Sequence, residues 1–118
     1  MDKPSVATHS PCVVIHSNPL VQLDLRETLV AAGAKSVEIA ASLKLVSVSA
    51  CPVVFIEGAF ENVIALPEAQ QWVALGTPVV VMNGHRSVYE HPYQNIHVLE
   101  QPFRTDDVQL LLRKLKVF

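Results

Sequence analysis

The chain has 118 residues, half of them hydrophobic, a formal charge of −2 at pH 7, a pI near 6.2 and a mean hydropathy of +0.32. One domain over 1–118 with a real core is expected at that size. The near-neutral balance excludes long-range attraction to nucleic acid or to an anionic membrane surface, so partners must be recognised by shape and local patches.

Residues 1–11 carry one lysine and no apolar run, which reads as a flexible N-terminal segment and not as a secretory signal or anchor. The apolar runs fall short of the roughly 20 residues a membrane helix needs, and a cytoplasmic location is expected. Cys12 and Cys51 are too few for a disulfide framework and have no metal-ligand spacing. Both are expected to be reduced and packed in or beside the core.

The first element is the β-branched run 12–16, Cys-Val-Val-Ile-His, which suits a strand covered on both faces. Asn18-Pro19 starts a helix in which Leu20, Leu23, Leu25, Leu29, Val30 and Ala32 fall mostly on one face, and Gly33 stops it. A short strand at 36–40 and a weaker helical stretch at 43–48 follow. Residues 52–57, Pro-Val-Val-Phe-Ile-Glu, form a buried-type strand, and a helix is expected within 60–75. Residues 77–82, Thr-Pro-Val-Val-Val-Met, are the clearest strand. The polar stretch 83–94 is expected to hold a short helix near 86–90, ahead of a strand at 96–99. Thr105-Asp106-Asp107 reads as the cap of a last helix, 108–116, with acids in its first turn and bases in its last.

Five strands alternating with helices imply an α/β flavodoxin-like three-layer sandwich: a five-stranded parallel sheet of order 2-1-3-4-5, its ligand crevice at the carboxyl ends of the strands. Within that plan Pro19-Leu20-Val21, Asp24-Leu25-Arg26-Glu27-Thr28-Leu29 and Val98-Leu99-Glu100-Gln101-Pro102-Phe103 resemble response-regulator receiver domains, over residues 11–115. The stretch 37–74 matches only in pattern.

The resemblance implies a phosphorylation pocket, and the residues aligned with it have changed. The two acids that hold Mg²⁺ in the family align with His16 and Ser17, and a hard cation wants carboxylate oxygens that neither supplies. No cofactor is expected, and Mg²⁺ binding should be weak or absent. The phosphorylated aspartate aligns with Glu57, whose extra methylene misplaces the carboxylate for in-line attack. The phosphoryl-binding threonine or serine aligns with Asn83, the lysine with Gln101, and the switch aromatic with Val98. One reading is a hydrogen-bonded plug in which His16, Ser17, Asn83 and Gln101 donate to Glu57, with a pH-sensitive pair if His16 is protonated. The alternatives are that these side chains point independently into water, or that Glu57 mimics a phosphorylated aspartate with less charge.

Other sites are less favoured. His85, His91 and His97 recur at intervals of six, which matches no zinc signature. His16 and Ser17 are adjacent at a strand end, where successive side chains diverge, so a catalytic dyad is not expected. Glycines are too few and too scattered for a phosphate cradle. Arg86, Tyr89 and Tyr93, with Leu111, Leu115 and Phe118 of the last helix, are candidate interface residues. The expected role is that of a stand-alone atypical receiver in two-component or phosphorelay signalling. It would act without enzymatic activity or phosphorylation, by contact with a histidine kinase, another signalling protein or a second copy of itself. The alternatives are a receiver phosphorylated on a non-standard acceptor and a flavodoxin-like enzyme or small-ligand binder.

Overall fold

A computed structural model describes residues 10–83, 95–100 and 103–117. The elements are β1 (Cys12–Ile15), α1 (Pro19–Ala32), β2 (Val37–Ala40), a 3-10 turn (Leu43–Leu45), β3 (Val54–Glu57), α2 (Phe60–Ile64), α3 (Pro67–Ala74), β4 (Val79–Asn83), β5 (Ile96–Glu100) and α4 (Thr105–Leu115). The strands form one sheet of order β2-β1-β3-β4-β5, parallel at every pairing. That is the expected flavodoxin-like order.

The apolar strand runs exist because both faces of the sheet are covered. Cys12, Val14, Phe55, Val80, Met82 and Leu99 face one way and pack with Leu25 and Leu29 of α1 and Val108 and Leu112 of α4. Val13, Ile15, Val54, Ile56, Val79, Val81 and Ile96 face the other way, against Phe60 and Val63 of α2 and Ala69 and Trp72 of α3. Trp72 is fully buried, and its indole N–H donates to the Ser49 carbonyl at 3.2 Å. Cys12 and Cys51 are both free and buried. Burial pushes their thiols up, to about 12 for Cys12, with Cys51 adding to the shift, and to about 11 for Cys51. They remain protonated, unreactive core groups.

Asn18 caps α1 by accepting the Leu20 N–H at 2.9 Å, with Pro19 in the first turn. Only Leu25, Thr28 and Leu29 of this helix are fully buried, and the Thr28 hydroxyl is satisfied by the Asp24 carbonyl at 2.8 Å. Leu20, Leu23 and Val30, read with Leu25 and Leu29 as mostly one apolar face, are instead exposed. Three other expectations are corrected. The stretch 43–48 makes one 3-10 turn and no helix, because Val46 and Val48 alternate with serines in a strand's period. The helix expected within 60–75 is two helices, broken where Leu66 takes the extended conformation that a residue before proline prefers. The last helix begins at Thr105, so Arg104 occupies the cap position, and its N–H is taken by the Asp107 carboxylate at 2.8 Å. The helix expected near 86–90 lies outside the described residues.

Thr77 sets the approach to β3. Its buried hydroxyl accepts the Cys51 N–H at 3.1 Å and donates to the Cys51 carbonyl at 3.0 Å, bonding both backbone groups of one residue. Thr77→Val keeps the shape and orphans both groups, which should cost about 1–3 kcal/mol. Thr77→Ser should recover most of that loss; urea denaturation of the two variants measures it.

Candidate functional site

Parallel strands release their carboxyl ends at one edge of the sheet, and three of the five expected pocket residues have described side chains there. β1 ends at Ile15, whose register partners are Ala40 and Ile56, so His16 and Ser17 leave the sheet beside Glu57 at the end of β3. Gly58 follows with φ +151°, and an added Cβ would stand 3.2 Å from the Val63 side chain. Glycine there lets the chain turn away directly after Glu57.

Ser17 donates twice to the same Glu57 oxygen: its N–H to Oε1 at 3.0 Å and its hydroxyl to Oε1 at 2.9 Å. The other oxygen, Oε2, lies 3.7 Å from Nε2 of His16. His16 is only 4% exposed, and its Nδ1 accepts the Asn18 N–H at 3.0 Å. A neutral ring whose Nδ1 is an acceptor carries its proton on Nε2. The ring therefore aims a buried N–H at Glu57, and Nε2 has no hydrogen-bond partner among the described residues. The Gln22 side-chain amide also donates to the His16 carbonyl, so the first turn of α1 holds both ends of this residue.

Burial acts on the Glu57 carboxyl first, raising its pKa, but the two Ser17 hydrogen bonds, and after them the electrostatic attraction of His16, outweigh it and hold the group below its ordinary value of 4.5. Its side chain is 43% exposed, so solvent screens much of the energy that goes with this shift.

Asn83 ends β4 opposite Glu100 of β5, which puts its backbone on the same edge; its side chain and Gln101 lie outside the described residues. So do Arg86, Tyr89, Tyr93 and Phe118, together with His85 and His91. Val98 pairs with Val81 and is half-buried against the α2–α3 core. Leu111 and Leu115 are half-buried against the α1–α4 core and offer a partner only part of their surface. The outward leucine of α4 is Leu110, 64% exposed. His97 is held below its ordinary pKa by burial and then by the Lys114 charge. No cluster of three or more metal-ligating side chains occurs among the described residues.

Asn18 and Gln22 were not anticipated as site residues. The Asn18-Pro19 signal marks a helix cap, and only the folded turn shows that the same Asn18 supplies the N–H that sets the His16 tautomer.

No protein-family model and no curated protein matches the sequence. The structure is similar to the solution structure of SdrG from Sphingomonas melonis Fr1, with a TM-score of 0.65 and 18% identity over 91% of this chain and 96% of that one. It is also similar to a response regulator receiver domain protein from Bacillus halodurans C-125, with a TM-score of 0.64 and 14% identity over 90% and 97%. A Burkholderia pseudomallei K96243 protein named as pilus assembly-related matches with a TM-score of 0.65 and 14% identity over 97% and 94%. The chain thus has the fold of response-regulator receiver domains over nearly its whole length.

The sign of the Glu57 shift fixes a pH dependence. A carboxyl with a lowered folded-state pKa contributes stability that is present above its unfolded value and is lost as pH falls through the folded one. The stability difference between the wild type and Glu57→Gln should therefore be largest near neutrality and should shrink below pH 4.5. Denaturation of both proteins across that range tests this; a difference independent of pH would show that the Glu57 charge contributes nothing.

Proposed function

We propose that this chain serves two-component or phosphorelay signalling as an atypical receiver, acting through protein contact and without phosphorylation of Glu57. The observation that carries the reading is the double donation from Ser17 to one Glu57 oxygen. The loop that would have to present metal ligands is instead fastened to the position where the phosphoacceptor would stand.

The donor set at this end of the sheet does not fit Mg²⁺. A hard six-coordinate cation needs several oxygen ligands, mostly carboxylates and water. His16 and Ser17 bring no carboxylate, and that of Glu57 already accepts two hydrogen bonds. His16 is no better suited to a softer metal: a ligating imidazole usually donates its second N–H to an acceptor, whereas Nδ1 here is itself an acceptor.

The outer face of α1 supports action by contact. Leu20, 76% exposed, Leu23 and Val30 point into solvent, in a stripe that starts two residues beyond the Asn18 cap. A partner helix laid on this stripe would reach the His16–Ser17–Glu57 cluster as well. A histidine kinase or another signalling protein is the expected partner class. No helix among the described residues is long and apolar enough to cross a membrane.

Amide NMR spectra with and without Mg²⁺ and beryllofluoride test the reading directly. Resonances of residues 16–18 and 57–58 should not move. Saturating shifts centred on Glu57 at millimolar Mg²⁺ would establish a working phosphoryl pocket instead. As a positive control, the combined variant His16→Asp, Ser17→Asp, Glu57→Asp, Asn83→Thr, Gln101→Lys should gain Mg²⁺-dependent shifts.

A further inference from the structure

The crossover from β2 to β3 carries a surface that the reading above does not use. After the 3-10 turn at Leu43–Leu45 the chain reaches β3 without a helix. Val46 is extended, with φ −120° and ψ 137°. Residues 46, 48 and 50 are half-buried while the serines at 47 and 49 are exposed, which is the period of a strand. Val46 and Val48 rest on the α2–α3 core, and Trp72 grips the Ser49 carbonyl.

Successive residues of a strand present their backbone groups at opposite lateral edges. With the Ser49 carbonyl turned to Trp72, the edge away from that ring belongs to residues 46, 48 and 50. The Val46 N–H is closed on the Leu43 carbonyl at 3.1 Å. The Val46 carbonyl and both backbone groups of Val48 and of Ala50 have no hydrogen-bond partner among the described residues. An open strand edge of this kind is a template for another strand, and proteins usually blunt it with lysine, proline or a bulge. The stretch Val46-Ser47-Val48-Ser49-Ala50 contains none of the first two and no charge.

We propose that residues 46–50 form a self-association edge, pairing antiparallel with the same segment of a second copy about a two-fold axis at Val48. The sequence is matched to this symmetry. Val48 meets its own mate and exchanges both backbone bonds with it, the Ala50 N–H meets the partner copy's open carbonyl at position 46, and serine faces serine at 47 and 49. A foreign acidic or basic peptide would find no countercharge here, whereas a second copy brings no repulsion. This inference stands on the crossover backbone and not on the proposed function, so either can fail alone.

Sedimentation velocity of the full chain over a rising concentration series should show a reversible monomer–dimer equilibrium. The exposed double substitution Ser47→Lys, Ser49→Lys sets like charges opposite each other twice and should weaken the dimer roughly tenfold or more, with an unchanged circular dichroism spectrum. Under mild oxidation, Ser47→Cys mixed with Ser49→Cys should give a disulfide-linked dimer in greater yield than either variant alone, because position 47 lies opposite 49. A monomer at every concentration, a dimer indifferent to the two lysines, or equal cross-linking in the unmixed samples would each overturn the proposal.

Discussion

The coverage of a parallel sheet on both faces is the constraint on which the rest of this structure depends. A strand buried on both sides must be apolar at successive positions, which is why β1, β3 and β4 read as unbroken runs such as Cys-Val-Val-Ile. Because the strands are parallel, their carboxyl ends emerge together. The first polar residues after each run therefore collect at one edge, whatever their sequence separation. Ser17 and Glu57 are 40 positions apart and within hydrogen-bonding distance for this reason.

What gathers at that edge decides the chemistry available there. A cluster of carboxylates would repel itself and call for a cation; here one carboxylate meets three donors, two of them from Ser17. The third, the Nε2–H of His16, is oriented by a backbone N–H and stops 3.7 Å short of Glu57. α1 reinforces this arrangement, since its cap residue Asn18 and its first-turn Gln22 both bond His16. The helix that fixes the site is the same helix that turns Leu20 and Leu23 outward beside it.

The crossover between β2 and β3 differs from the other crossovers among the described residues. Between β1 and β2, between β3 and β4, and after β5, helices satisfy their own backbone groups and cover the sheet. Between Leu45 and Cys51 a strap without a helix does the covering with Val46 and Val48, and leaves backbone groups with no partner among the described residues. Leu45, 70% exposed, marks the same gap. The Trp72 indole and the Thr77 hydroxyl hold the strap from below at Ser49 and Cys51.

By itself the sequence determined the class of fold, the number and order of the strands, the two-sided core, the ends of α1 at Asn18 and Gly33, and the placing of His16, Ser17 and Glu57 at one edge. These follow from local rules: β-branched runs, a proline after a cap residue, a glycine stop, and the shared direction of parallel strands. Only the tertiary structure decided which apolar residues stay outside. Leu20 and Leu25 are alike as letters, and it is the position of the sheet that buries one and exposes the other. It also decided that burial alternates residue by residue from 46 to 50, since a half-apolar stretch fits either period until a surface selects one. The two hydrogen bonds of Ser17 and the tautomer of His16 belong to the same group. They depend on angstrom-scale distances between segments far apart in the chain, and no pattern along a sequence records such distances.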